Sequence, residues 1–386
     1  MKIKSIEPIV LFAQDTSEGM TGKTNVGGYT GFQVAVHVET DEGIEGWGEC
    51  CTGSELGEAA FAVKILIEKG LFPRIKGDDP IEYRKIWDKL YSAVEWYGRR
   101  GLAIFALSGI DTALVDIAGK ALSVPAYKLL GGKYKDEIPL YASLLFDMDD
   151  FEGTANKAQS YIQDGYYGAK FGWGMLPSKP FGKDMKKDEA IVAKIRQVLG
   201  ADPRIMVDVG RYVNWSSTYA IQMAKTLEKH KIFWLEEALP QDDMDGYVEL
   251  TSSVDTTIAT GEGFQTIHDF RELIKRKAVD LIQPDVSKAG GLSETKRIVD
   301  YARTNNVLWV PHNWSTAINT AASLQLVASC SDSFLLEFKQ EPNPLVEELS
   351  KSGFVVTNGK MKIPDSPGLG IEINQSKIEK YRINSI

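Results

Sequence analysis

Beyond residue 133 the hydrophobic positions follow two alternating spacings. Short runs of β-branched and aromatic residues predict strands, and longer segments with apolar residues three or four positions apart predict helices. Strands are predicted at 138–145, 167–171, 204–209, 232–236, 257–260, 279–283, 307–310 and 334–337. Predicted helices at 185–199, 216–230, 267–277 and 291–305 separate several of them. Eight strands with intervening helices favour a closed (β/α) barrel over an open sheet.

In the first third of the chain the hydrophobic residues follow a different spacing. Segments at 2–12, 31–39 and 43–50 predict a β-meander, and a helical pattern then runs from 58 to about 130. A polar, glycine-rich stretch at 15–29 predicts a long loop, which is uncommon unless it has a function. We therefore predict an α/β protein with an α+β domain at 1–132 and the barrel at 133–340. A C-terminal segment at 341–386 is predicted to return to the first domain.

Charge and composition limit the kinds of molecule that the protein is expected to bind. The 386 residues include 44 Lys and Arg against 53 Asp and Glu, a formal net charge of -9. This balance argues against a nucleic-acid partner, although a bound divalent cation would still allow an anionic small-molecule substrate. The start does not have the pattern of a signal peptide, and no run approaches the roughly 18 apolar residues of a membrane helix. The three cysteines are expected to be reduced thiols, so we expect a cytoplasmic protein with no membrane partner.

Ionisable residues occupy the ends of the predicted barrel strands. In a parallel barrel these ends open on one face, where chemistry is built. Asp208, Glu236 and Glu262 fall one βα unit apart and would lie side by side. Three carboxylates cannot all stay ionised together without a cation, and hard oxygen ligands select Mg²⁺ or Mn²⁺. The sequence therefore predicts a metal site at the barrel mouth, with one ion per subunit.

A base and its partner are predicted beside this metal site. His312, in VPHNW, is the one histidine at a predicted barrel strand end, and Asp285 ends the preceding strand. Asp285 would accept a hydrogen bond from one imidazole nitrogen, which would raise the basicity of the other nitrogen. Lys170 would stabilise negative charge developing on a substrate, and Glu337 would contact a substrate oxygen.

These motifs resemble one known family. VDVGR, FWLEEAL, ATGEGF, QPDVSKAGG and VPHNW, in this order, resemble the barrel of the enolase superfamily, in its mandelate racemase branch. GIEGWGE and GIDTALVDIAGKALSVPAYKLLGG resemble that family's N-terminal capping domain, so the resemblance covers nearly the whole chain. It implies a modified TIM barrel with magnesium ligands at Asp208, Glu236 and Glu262. It also implies a His312–Asp285 dyad and an electrophilic acid at Glu337.

Two departures from family patterns favour one reaction. Asp285 stands where the muconate lactonizing branch has a lysine, and Lys170-Phe171-Gly172 lacks the second lysine of the racemases' Lys-x-Lys. Racemisation needs a base on each face of the substrate carbon, whereas β-elimination needs only one. We therefore expect a hydro-lyase that dehydrates a sugar acid, an aldonate such as arabinonate, fuconate, gluconate or galactonate. The alternatives are a racemase or epimerase of a 2-hydroxy acid, and a non-catalytic sugar-acid binding protein.

Further residues are expected to determine the substrate specificity. Arg211, three residues after Asp208, would contact a distal hydroxyl or anionic group. The loop at 15–29 and the segment at 51–55 would close over the barrel and bring Tyr29 and Thr52 to the substrate, which Asn313 would also contact. The resemblance also implies a homo-oligomer, a dimer or an octamer.

Overall fold

A computed structural model describes residues 1–13, 31–54, 56–175, 178–210 and 213–385. The described strands are β1 (Ile3–Leu11), β2 (Phe32–Thr40), β3 (Glu45–Ser54), β4 (Glu137–Leu145), β5 (Gly168–Gly172), β6 (Arg204–Asp208), β7 (Trp234–Glu236), β8 (Thr257–Thr260), β9 (Leu281–Ile282), β10 (Leu308–Trp309), β11 (Leu336–Lys339), β12 (Val356–Thr357) and β13 (Lys360–Lys362).

Helices follow most of these strands. They are α1 (Glu58–Ile65), α2 (Phe72–Ile75), α3 (Tyr83–Val94), α4 (Leu102–Ala121), α5 (Ala126–Leu129), α6 (Phe151–Gln163), α7 (Met185–Leu199), α8 (Ser217–Glu228), α9 (Met244–Ser253), α10 (Thr266–Lys275), α11 (Leu292–Thr304), α12 (Ala317–Ala328), α13 (Pro344–Glu347) and α14 (Gln375–Tyr381). A π-helical turn at Leu66–Leu71 joins α1 to α2, and a 3₁₀ turn at Pro80–Glu82 precedes α3.

The barrel consists of parallel strands in chain order. Strands β4 to β10 pair consecutively, and β11 pairs in parallel with β4, which places the last barrel strand beside the first. The predicted (β/α) barrel with an N-terminal α+β domain is therefore confirmed. The predicted strand at 279–283 keeps ladder pairing only at Leu281–Ile282, because the chain turns into the loops at the barrel mouth directly afterwards.

A layer of buried side chains fills the barrel below its mouth. It is formed by Tyr141, Met206, Trp234, Ala259, Leu281, Val310 and Leu335. Alternate residues of a strand face the same side. Because Met206 and Trp234 face inward, Asp208 and Glu236, two positions further along, also face inward and stand at the mouth. The apolar layer thus fixes which side chains line the candidate site.

In the N-terminal domain the antiparallel sheet β1–β2–β3 packs against α4. A Cβ atom at Gly48 would lie 1.9 Å from the carbonyl oxygen of Gly109, so only glycine permits this close approach of strand and helix. By length and composition α4 could cross a membrane, which the sequence analysis did not anticipate. However, 89% of its apolar window is buried inside the protein, as in the core helix of a globular domain.

The C-terminal segment contacts both domains. Strand β13 pairs antiparallel with β4 at the base of the barrel, so this part of the segment does not return to the first domain. The last residues do reach it: Ile383 donates its backbone N–H to Val10, and Arg382 forms an ion pair with Glu7 at 2.7 Å. The domain boundaries at 132 and 340 stay predictions, and the loop at 15–29 lies outside the described residues.

Candidate active site

Three carboxylates from neighbouring strands converge at the barrel mouth. Asp208 ends β6, Glu236 ends β7 and pairs with Asp208 in register, and Glu262 follows β8 by two residues. One oxygen from each lies within 4.8 Å of the others. Oδ1 of Asp208 is buried and accepts no hydrogen bond from the residues that the structure describes. Carboxylates in this arrangement, with an oxygen left over, fit a Mg²⁺ ion.

Burial and repulsion between neighbouring acids act most strongly on Asp208. Burial and the charge of Glu236 raise the pKa of Asp208 well above its ordinary value. Glu236 has more support, because its Oε2 accepts hydrogen bonds from Gln283 Nε2 at 2.7 Å and Trp234 Nε1 at 2.9 Å. Both partners are neutral donors from beside and beneath the carboxylate. They hold its orientation, and neither of them neutralises its charge.

Lys170, inside β5, lies against the acids on one side of the mouth. Its Nζ is 2.5 Å from Glu236 Oε1, 2.9 Å from Glu337 Oε1 and 3.6 Å from Asp208 Oδ2. Burial alone would lower the pKa of this lysine, but the charges of Glu236 and Glu337 outweigh burial and raise it well above its ordinary value. Lys170 is therefore a fixed positive charge.

His312 and Asp285 form a dyad on the other side. His312 Nδ1 lies 2.6 Å from Asp285 Oδ2, and His312 Nε2 lies 3.0 Å from Glu262 Oε2. Asp285 is itself held through Oδ1, which accepts hydrogen bonds from the backbone N–H of Ser287 at 2.8 Å and from Asn319 Nδ2 at 3.2 Å. Burial disfavours the charged imidazole, but the charge of Glu262 outweighs burial and raises the pKa of His312 to about 10.

Glu337, on β11, completes the arrangement. Its Oε1 accepts a hydrogen bond from Ser143 Oγ at 2.6 Å, and its Oε2 accepts one from the backbone N–H of Asn313 at 2.8 Å. Burial alone would raise the pKa of Glu337, but the charges of Lys170 and His312 lower it. The structure thus brings together all seven residues that the sequence analysis placed at strand ends.

The residues predicted to bind substrate are less fully described. Arg211 and Tyr29 lie outside the described residues. Thr52 donates its hydroxyl to the backbone oxygen of Phe32. Asn313 donates Nδ2 to the backbone oxygen of Glu337 at 3.1 Å and accepts a hydrogen bond from Thr320. The substrate contacts of all four residues stay predictions.

Three residues that the sequence analysis did not single out also line the site. Glu237 has a positive φ of 48° and accepts hydrogen bonds from Thr260 Oγ1 at 2.6 Å and from the backbone N–H of Gly261. Gln283 supports Glu236, and Lys288 Nζ lies 4.0 Å from Glu262 Oε1. The sequence carried a signal for each, in FWLEE and QPDVSK. A search for ionisable strand ends skips the second residue of a pair, a neutral glutamine and a lysine that lies beyond the strand end.

A (β/α) barrel that is capped by an α+β domain and carries a carboxylate triad, a lysine and a His–Asp dyad at its mouth defines a class of barrel enzymes. Two family models match the chain. Residues 153–377 match the model described as "Enolase C-terminal domain-like", and residues 30–131 match "Mandelate racemase / muconate lactonizing enzyme, N-terminal domain". The chain belongs to this family of enzymes, the mandelate racemase branch of the enolase superfamily.

Several characterised relatives are similar over most of their length. The chain is 31% identical to a D-galactarolactone cycloisomerase of Agrobacterium fabrum, with 91% of each covered. It is 32% identical to an arabinonate dehydratase of Saccharolobus solfataricus, again with 91% of each covered. It is also 32% identical to a D-xylonate dehydratase of Haloferax volcanii, covering 91% of this chain and 85% of the relative.

A solved structure extends the similarity to the whole fold. The crystal structure of the 3,6-anhydro-D-galactonate cycloisomerase from Zobellia galactanivorans superposes with a TM-score of 0.87. The two chains are 31% identical, and all of each is covered. These names support a sugar-acid dehydratase or isomerase of the mandelate racemase branch.

Proposed function

We propose that this protein is a Mg²⁺-dependent dehydratase of an aldonic acid, which it converts to a 2-keto-3-deoxy acid. The observation that carries the proposal is the unequal environment of the two basic side chains at the mouth. His312 is oriented by Asp285 through Nδ1 and presents Nε2 toward the carboxylate triad. Lys170 instead has its ammonium against three carboxylates. One mobile proton acceptor suits elimination, whereas racemisation requires two.

The proposed mechanism assigns a task to each residue. Asp208, Glu236 and Glu262 would hold Mg²⁺, which would neutralise charge that builds on the substrate carboxylate as the α-proton leaves. The charge of Glu262 keeps His312 protonated, and a Mg²⁺ ion held by Glu262 would offset that charge, so that Nε2 would take the α-proton. The C–H electron pair then forms a C=C bond, and the C–O bond at C3 breaks. The protonated His312 returns the proton to the departing hydroxyl, which leaves as water. The resulting enol then tautomerises to the keto acid.

Lys170 and Glu337 contact the substrate in this mechanism, and both keep the positions that the structure shows. The Lys170 ammonium supplies a second positive contact for the carboxylate oxygens of the enediolate. Glu337, held by Ser143 and Asn313, lies beside Lys170 and faces the same space. We assign it the contact with a substrate oxygen that the sequence analysis gave it.

Ring-opening isomerisation is a second candidate. The similar proteins of Agrobacterium fabrum and Zobellia galactanivorans are both named cycloisomerases. The same first step applies when the β-oxygen belongs to a ring: His312 removes the α-proton, and the departing oxygen opens the ring instead of leaving as water. The residues around His312 serve either outcome, so the substrate decides between them.

A substrate screen distinguishes these functions. The purified protein, with and without Mg²⁺, is incubated with five- and six-carbon aldonic acids, aldaric acids and their lactones or anhydro forms, and products are identified by mass and NMR. Loss of one water with formation of a keto acid supports dehydration. A product of unchanged mass with an opened ring establishes isomerisation. Epimers, or α-deuterium exchange without elimination, would replace the proposal with racemase or epimerase chemistry, and binding without turnover would indicate a binding protein.

A further inference from the structure

A buried acid of the N-terminal domain is connected to the dyad through the first turn of α12. Glu49 lies in β3, is 2% exposed, and reaches across the domain boundary into the barrel. Its Oε2 accepts hydrogen bonds from Thr316 Oγ1 and, at 3.0 Å, from the backbone N–H of Asn319. Thr316 is the N-cap residue of α12 and also accepts a hydrogen bond from Ile318 N.

Glu49 is therefore an additional cap supplied by another domain. The first N–H groups of a helix have no partner within the helix, and an acceptor, especially an acid, stabilises them. A barrel helix of 12 residues begins where the N-terminal domain places this carboxylate. The position of the first turn of α12 consequently depends on how the two domains are seated.

Asn319 transmits that position to the dyad. Its backbone N–H serves Glu49, and its side-chain Nδ2 donates to Asp285 Oδ1 at 3.2 Å. Asp285 Oδ2 in turn lies 2.6 Å from His312 Nδ1. Asn319, Asp285 and His312 are 1%, 0% and 6% exposed, so water cannot readily replace a lost partner. A shift of the first turn of α12 moves the Asn319 donor away from Asp285.

We propose that Glu49 is a positioning residue that fixes the first turn of α12, so that Asn319 orients Asp285 and, through it, the imidazole of His312. The N-terminal domain would then do more than cover the substrate, because its seating on the barrel also sets the orientation of the base. That His312 acts as the base rests on the proposed function, whereas its orientation by Glu49 does not.

A second buried acid of the N-terminal domain caps a barrel helix without a hydrogen-bonded connection to the dyad, so it serves as a matched control for Glu49. Asp111, in α4, is also buried, and it also caps a barrel helix by accepting hydrogen bonds from Ser293 N at 2.8 Å and Ser293 Oγ at 2.6 Å. That helix is α11, and no hydrogen bond of Ser293 among the described residues goes to Asp285 or His312. Loss of Asp111 therefore imitates the loss of a buried inter-domain cap without touching the proposed route.

The test compares Glu49→Ala, Glu49→Gln, Asn319→Ala and Asp111→Ala in the full chain. Glu49→Gln keeps an acceptor oxygen and should retain the parent resonance and kcat, whereas Asn319→Ala removes only the hydrogen bond from Asn319 to Asp285. The first readout is the Nδ1 proton resonance of His312 in protein labelled with ¹⁵N-histidine, assigned among four histidines with His312→Asn. The second is kcat against KM on the substrate found in the screen.

We expect Glu49→Ala and Asn319→Ala to move the His312 resonance and to lower kcat by about 10- to 100-fold, with KM little changed. Asp111→Ala should lower only the melting temperature. If Glu49→Ala behaves like Asp111→Ala, or if Asn319→Ala leaves the resonance in place, the proposal is wrong. Should Glu49→Ala fail to fold, Glu49→Asp takes its place, because the shorter side chain withdraws the carboxylate from Thr316 and Asn319, and an unmoved His312 resonance in this variant overturns the proposal. If the parent turns over no sugar acid, the proposed function fails, and the resonance still decides whether Glu49 orients His312.

Discussion

His312 and Lys170 lie in the same barrel mouth, but different contacts hold them. The imidazole is fixed at Nδ1 by one carboxylate and leaves Nε2 directed at the triad, while the lysine has carboxylates around its only nitrogen. A group can act as a base only when it presents a lone pair to the substrate. At the scale of single residues the site is therefore asymmetric, with an oriented acceptor on one side and a fixed cation on the other.

Replacing His312 by Asn should remove proton transfer and leave the metal site in place. We expect α-deuterium exchange and product formation to fall by at least about 10²-fold, the loss typical of a general base. The rise in melting temperature on addition of Mg²⁺ should persist, because Asp208, Glu236 and Glu262 are intact. Exchange measured by NMR in deuterated water tests this, and exchange at the parent rate would remove His312 from the mechanism.

Replacing Gln283 by Leu should weaken Mg²⁺ binding. The side chain is 1% exposed and donates to Glu236 Oε2 at 2.7 Å, so its loss frees a triad carboxylate to rotate. Residues that orient metal ligands typically contribute 10- to 100-fold, so we expect a loss of about that size in a Mg²⁺ titration followed by melting temperature.

Gln325→Leu is the matched control for this change. Gln325 is equally buried, and its Nε2 donates to the backbone oxygens of Pro364 and Leu369 rather than to a triad carboxylate. It should lower the melting temperature but leave the Mg²⁺ midpoint unchanged. Equal midpoints in the parent and Gln283→Leu would show that Gln283 does not orient Glu236.

Between elements, the contact of β3 with α4 places the N-terminal domain over the site. Glycines at the contact allow strand and helix to approach, and the end of β3 then reaches the loop after β9, where Cys51 N donates to the backbone oxygen of Ser287 at 3.2 Å. Glu49 and Asp111 cap barrel helices from these same two elements. The close packing of one strand on one helix thus decides where three contacts with the barrel fall.

Gly48→Ala should therefore destabilise the protein. Its Cβ would overlap the backbone of α4, and overpacking of this kind costs about 1–3 kcal/mol or more. At Gly70 an added Cβ would meet nothing nearer than Tyr97 Oη at 4.0 Å, so Gly70→Ala should leave the melting temperature unchanged or slightly raised. Thermal unfolding measures both, and equal melting temperatures for the two variants would contradict the close approach.

Asp111 should make stability depend on pH. Burial is the main reason that the pKa of Asp111 is raised from 3.8 to about 7, while the charge of nearby Arg84 lowers it and that of Glu294 raises it. A carboxyl with a raised pKa in the folded state binds its proton more tightly there, so its contribution is complete below about pH 4. That contribution is lost as pH rises to about 7, at about 1.4 kcal/mol per pKa unit.

Asp111→Asn tests this dependence without removing the contact, because an amide can accept from Ser293 N and donate to Ser293 Oγ. Relative to the parent, the variant should gain stability between pH 4 and 7 and show a constant difference above pH 7. Chemical unfolding of both proteins across this range measures the difference in their free energies of unfolding. The other titrating groups are the same in both proteins, so their contributions cancel. A difference independent of pH would show that Asp111 is ionised in the folded protein at all these pH values.

For the whole molecule, the sequence predicted the barrel and the strand-end residues because both follow from regular spacing. Lys170, Asp208 and Glu236 lie on strands whose alternation directs them inward, and Glu262, Asp285 and His312 follow strands at similar offsets. Contacts between domains have no such period. Nothing in the spacing of Glu49 or Asp111 indicates that each caps a helix about 180 to 270 positions away. The pairing of β13 with β4 was missed for the same reason.

The route of the C-terminal segment has a consequence for biosynthesis. β1 leaves the ribosome long before its C-terminal partners, because Leu11 pairs with Arg382 and Val10 accepts a hydrogen bond from the backbone N–H of Ile383. At roughly 5–20 residues per second, these partners arrive tens of seconds later. Until then this edge of the nascent sheet is open, and an open strand edge can pair with other chains. The Leu11 end of β1 is thus an unpaired strand edge during translation, and the C-terminal residues cover it only at the end of synthesis.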